Sequence, residues 1–278
     1  MKTLLVINDY STAASYAAKF ALSIAQKVKA NLILLNAAIP VNILPDIEYK
    51  FVPESRQAAY IELLEIPLAE QLMMQNQSDK KFRPEIMGID PADFSDEEMM
   101  PFIQQQDIWM VVKGIPGEEA FPLHSAASIQ AILNQVKCPM LLVPERLEIK
   151  DFKCIVHTVD LRYCKLPLLN YLVELATPYQ ASLVLAHMPM SGLPPMETKD
   201  ALDIFNEQIS SHLRYDKLFF DQIKEKNLEK VYDVLAYGMN TDLLTVVNHR
   251  FHFQKIVSQY QSYTLPTHIT VPLLVFPN

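Results

Sequence analysis

Residues 113–128 read KGIPGEEAFPLHSAAS. Gly114 and Gly117 stand three apart where an apolar, strand-like run ends and a helical pattern follows, a place where backbone N–H groups can cradle a phosphate. The flanking chemistry is mixed. Lys113 brings one positive charge, Glu118 and Glu119 bring two negative ones, and Pro116 and Pro122 each remove a donor. A carboxylate ~5 Å from a phosphate charge, at an effective dielectric of ~20, costs on the order of 3 kcal/mol. A divalent cation between them would invert the sign. Ser128 can cap the following helix with or without an anion. Asp9, directly after Asn8, closes the first apolar run, and Asp160 closes a similar run in the second half. At a strand end an aspartate serves a ligand or simply caps a turn, and the residues alone leave both open. His249, Arg250 and His252 could attract an anion, or the two histidines could hold a metal if helical. No Ser-His-Asp, paired-carboxylate or Cys-His arrangement can be assembled from the sequence.

Composition bounds the partners. The chain has 278 residues, enough for two domains of about 140. Its net charge of −8 disfavours nucleic acid and anionic lipid. No run of 18 apolar residues argues for a membrane span, and the opening MKTLLVINDYS is too soon broken for a signal peptide. Cys138, Cys154 and Cys164 form no C-x-x-C and read as free thiols of a reducing cytoplasm. There are five glycines, against roughly nineteen at average usage, so the chain has few to spend on phosphate loops.

The elements that must position these residues come twice. TLLVINDYSTAASYAAKFALSIAQKVKANLILLNA opens the first half and FKCIVHTVDLRYCKLPLLNYLVELATPYQASLVLAHMP the second; CPMLLVPE and VPLLVFPN close them. The join near residues 145–151 divides the chain into 1–147 and 148–278. Strands are predicted over 3–8, 31–38, 82–88, 107–112 and 139–143, then over 154–159, 182–188, 217–223, 242–248 and 272–276. Helices are predicted after Ser11, over 54–75, 95–106 and 128–136, then over 165–176, 197–213, 227–238 and 253–263, with Gly238 at a helix C′ position. Trp109 reads as a buried strand residue. Alternation of this kind means a parallel sheet covered by helices on both faces, with ligands beyond the carboxyl ends of the strands where the winding reverses.

These openings and endings resemble universal stress protein domains, over nearly the whole chain and twice. The resemblance implies two tandem Rossmann-like α/β domains, of the adenine nucleotide alpha hydrolase-like type, each a five-stranded parallel sheet. It implies a site in the first domain made by Asp9 with Asn8 beside adenine, Ala37 lining the base, and Gly114, Gly117, Ala127 and Ser128 around ribose and phosphates. The family's loop runs Gly, two residues, Gly, nine residues, Gly, then Ser or Thr; here Ala127 replaces the third glycine, and the second half has no glycine in the corresponding loop. The expectation is a cytoplasmic, non-enzymatic stress-response protein with weak or no binding of ATP or AMP with Mg²⁺, confined to the first domain. The last strands are expected to join the halves as an intramolecular pseudo-dimer, with further homodimer formation open. Two alternatives are a nucleotide switch with slow ATP hydrolysis and a small-molecule or lipid carrier.

Overall fold

The computed structural model describes residues 1–9, 11–36, 82–89, 101, 105–115, 137–145, 147–189, 193–224, 228–248, 256 and 270–277. The strands are β1 (Thr3–Asn8), β2 (Asn31–Asn36), β3 (Ile86–Ile89), β4 (Ile108–Ile115) and β5 (Met140–Pro144), followed by β6 (Cys154–Val159), β7 (Ser182–His187), β8 (Leu218–Gln222), β9 (Leu243–Val247) and β10 (Leu273–Phe276). Among the described residues the α-helices are α1 (Thr12–Val28), α2 (Leu166–Ala176), α3 (Thr198–Ile204) and α4 (Leu228–Asp233).

All ten strands join one sheet in the order β3-β2-β1-β4-β5-β10-β9-β6-β7-β8. Every pairing is parallel except the central one, where β5 meets β10 antiparallel with Leu142 opposite Leu273, Leu141 opposite Leu274 and Met140 opposite Val275. The expected α/β class with two parallel five-stranded units is therefore present, and the two units are continuous with each other. In the proximal unit β1 lies between β2 and β4; in the distal unit β6 lies between β7 and β9. Those are the two places where the winding reverses, and Asp9 and Asp160 directly follow β1 and β6.

The sheet is apolar on both faces because helices cover it. One face gathers Leu4, Val6, Val112, Leu141, Ile155, Leu185 and Leu274 under α1, α2 and α3. The other gathers Leu5, Val111, Leu142, Val156, Val246, Leu273 and Val275, with Val231 and Leu235 packed on it. On the α1/α2 face aromatic contacts cross between the two units. Trp109, half-buried rather than fully buried, stacks on Tyr171 at 4.5 Å between centroids and Phe20 meets Phe152 edge-on at 5.8 Å, while within the distal unit Tyr171 meets Phe276 edge-on at 5.3 Å. Lys2 pairs with Glu174 at 2.7 Å while its ammonium lies over the Trp109 ring.

α1 forms because Ser11 accepts the Ala14 N–H and small apolar side chains recur on one face, Ala14, Ala17, Ala21 and Ala25 being buried. It ends at Lys29, whose φ of 57° is left-handed and whose N–H bonds the Ala25 carbonyl. Three helical details differ from the sequence expectation. The run after α3 passes through a π turn over Phe205–Ile209 and a 3₁₀ turn over Ser210–His212. α4 continues as a π turn over Val234–Gly238. Gly238 therefore is not the left-handed stop residue; Asn240, at φ 50°, adopts that conformation. The predicted helices 54–75, 95–106, 128–136 and 253–263 lie outside the described residues, apart from single positions.

Candidate functional site

At the proximal reversal point, Asp9 turns back on its own chain. Its Oδ1 accepts from the Ser11 N–H at 3.1 Å and from the Ser11 hydroxyl at 2.5 Å, and the same hydroxyl oxygen accepts the Ala14 N–H at 3.0 Å. Asp9 thus fixes the cap that starts α1. Thr12, the first residue of α1, donates to Glu145 Oε1 at 2.6 Å, tying the helix start to the end of β5. Asn8 is buried at the end of β1.

Lys113 and Gly114 are strand residues, because β4 runs three positions past its predicted end, to Ile115. Lys113 is only 6% exposed, with Ile7 and Leu142 as its register partners. Burial pushes its ammonium below the ordinary lysine value, and attraction to the Asp9 carboxylate works against that. Gly114 serves packing. A Cβ there would sit 2.3 Å from the Ala13 carbonyl oxygen and 2.7 Å from the Ala14 N, inside the first turn of α1. The missing side chain lets α1 lie on β4. Ala37, Gly117, Ala127 and Ser128, the carboxylates Glu118 and Glu119 that could bear on Mg²⁺, and His249, Arg250 and His252 all lie outside the described residues.

The distal reversal point is built from different residues. Asp160 is buried and Arg162 grips it with two parallel bonds, Nε to Oδ1 at 2.8 Å and Nη2 to Oδ2 at 2.6 Å, while the Arg162 N–H also donates to Oδ1 at 3.2 Å. The chain makes a 3₁₀ turn over Leu161–Tyr163 before α2 begins at Leu166. α1, by contrast, begins three residues after Asp9. By strand register Val246 and Val247 occupy the places of Lys113 and Gly114. The later helix start and the added side chain at Val247 belong together, since the first turn of α1 is what would collide with a side chain at Gly114.

Two buried histidines complete the distal unit, and neither stands in a pattern that sequence reasoning could single out. His157 Nδ1 lies 2.8 Å from the Thr245 hydroxyl in the core, where the proximal unit has Val6 beside Val112. Burial pushes His157 down to about 4, the Thr245 backbone opposing. His187, at the end of β7, accepts the Leu161 N–H on Nδ1 at 3.3 Å. Burial and the Arg162 charge lower it, and Asp160 and the Val159 backbone oppose them. Both rings are therefore neutral near pH 7. Arg162 carries a signal that could have been read: an Asp-x-Arg directly after an apolar strand is a ready bidentate pair.

Burial raises all three thiols, Cys138 to about 11 and Cys164 to about 12, so none is poised as a thiolate. Among the described residues no three of His, Cys, Asp and Glu gather as a metal site. No helix of the described residues is long and apolar enough to cross a membrane.

The sequence profile of the universal stress protein family matches residues 1–144. Among solved structures, a universal stress protein from Archaeoglobus fulgidus is similar over 99% of this chain and 97% of its own, with a TM-score of 0.57 and 15% identity. The cytoplasmic domain of a prokaryotic cation chloride cotransporter is similar over 100% of this chain and 95% of its own, with a TM-score of 0.54 and 8% identity. At these identities the likeness is one of fold. Among curated protein sequences none matches.

Proposed function

The chain belongs to the universal stress protein family, and we propose that it serves as a cytoplasmic, non-enzymatic stress-response protein whose capacity for ATP or AMP with Mg²⁺ is weak and confined to residues 1–147. One observation carries this reading: the two reversal points are chemically unequal. In the proximal unit Asp9 meets neutral donors from Ser11, and Lys113 adds a cation at the same mouth. In the distal unit Asp160 is already neutralised by Arg162 of its own loop. The weakness follows from Gly114, the one glycine of the phosphate loop within the described residues, being given over to helix packing.

Thermal melting with ATP and Mg²⁺ tests the proposal. A site filled at 100 times its Kd would stabilise by about 2.7 kcal/mol. The expected result is a shift well below that at millimolar ATP, abolished by Asp9→Asn. A large shift at micromolar ATP, or one untouched by Asp9→Asn, would contradict it.

A further inference from the structure

The distal reversal point holds a buried donor for which the described residues offer no acceptor. His187 is 0% exposed, and its Nδ1 accepts the Leu161 N–H, so the proton of the neutral ring sits on Nε2. Nε2 has no hydrogen-bond partner among the described residues. Buried polar groups in native proteins are paired, and an exception calls for an explanation.

What crosses this mouth is thinly held. Register places Gln222 beside His187. The Gln222 side chain donates to the Met196 carbonyl at 3.1 Å and accepts from the Thr198 hydroxyl at 2.9 Å. From the other side Arg162 Nη1 donates to the Pro194 carbonyl at 3.3 Å. No residue of 193–198 is fully buried; Leu193 and Met196 are half-buried and the others exposed. Met196 packs against the core and the Glu197 carbonyl accepts the Ala201 N–H at the start of α3, so the segment is anchored at that end. The stretch before it, held by bonds that water can replace, opens at lower cost than the sheet beneath it.

We propose that residues 193–198 form a hinged cover over the mouth of the distal unit, latched by Arg162 and Gln222, and that its opening presents the His187 Nε2–H to a small, uncharged hydrogen-bond acceptor. The choice of an uncharged acceptor follows from the described surroundings: Arg162 spends its charge on Asp160 and His187 is neutral, so neither offers an unpaired charge to an ion. This inference concerns the distal unit and stands apart from the nucleotide reading of the proximal one.

Exchange of the His187 Nε2 proton with solvent, read by ¹⁵N-edited NMR on the full chain, measures the opening. Arg162→Ala and Gln222→Ala cut the two latches independently, so one suffices if the other misfolds. Each is expected to speed that exchange about tenfold while far-UV circular dichroism stays native. Exchange that is no faster than global unfolding in both variants would overturn the cover. With either latch cut, acetamide is expected to shift the His187 Nε2 ¹⁵N resonance in a saturable way and acetate to do so less. No shift with acetamide, or a stronger one with acetate, would overturn the choice of ligand.

Discussion

At the scale of single residues, Gly114 looks from the sequence like half of a phosphate loop. In the structure it is the point where a helix start touches a strand, with the Ala13 carbonyl 2.3 Å from where a Cβ would be. Gly114→Ala should therefore cost about 3 kcal/mol or more by overpacking against backbone that cannot yield. Urea unfolding without nucleotide checks this; an unchanged midpoint would mean the position serves ligand alone. His157 makes a second prediction. Its folded value, about 4, lies below the ordinary 6.5. The unfolded chain thus binds more protons between those values, and stability present above pH 6.5 declines as pH falls toward 4, by roughly 3 kcal/mol. Replacing His157 and Thr245 together by valine, the pair the proximal unit uses, should leave stability near pH 7 little changed and remove that share of the acid sensitivity. Denaturation at pH 7 and pH 4.5 reads both. These residues show what the sequence concealed. Asp9 and Asp160 are legible as equivalents because each closes an apolar run. That one holds a helix cap and the other a guanidinium depends on where the next helix begins, which is set by tertiary packing.

At the scale of elements, all ten strands were legible, since each is a short apolar run between helical patterns, although the edge strands β3 and β8 stay partly exposed. Their ends were less so. β4 carries a buried lysine and a glycine past its predicted end, two residue types that read as loop until the helix above them is in place. The π turns after α3 and within the α4 run leave no pattern distinct from an ordinary helix. The scarcity of glycine shows at the stops. Lys29 and Gln180 hold φ of 57° and 53° at equivalent places before β2 and β7, where glycine would be unstrained. Lys29→Gly and Gln180→Gly should each raise stability, by up to about 1 kcal/mol, the gain in backbone strain being offset by entropy of the unfolded chain. Thermal denaturation of each variant decides; a loss at both sites would show that the long side chains contribute more than the strain.

At the scale of the whole molecule, the two units share one sheet and a wall of aromatic contacts, so they should unfold together. Trp109 is the only tryptophan and stacks on Tyr171 of the other unit, which makes its fluorescence a probe of the join. Tryptophan emission and far-UV circular dichroism should report coincident transitions. Leu274→Ala, at a fully buried position opposite Leu141, should lower both together by about 2–5 kcal/mol. Emission changing well before ellipticity would mean the units come apart first.

The proposed function depends on the units being alike in fold and unlike at their reversal points. Calorimetric titration of the full chain with ATP and Mg²⁺, repeated with Asp9→Asn and Asp160→Asn, tests that inequality most directly. At most one weakly held nucleotide per chain is expected, lost with Asp9→Asn and indifferent to Asp160→Asn; two nucleotides per chain, or binding that Asp160→Asn abolishes, would contradict that inequality.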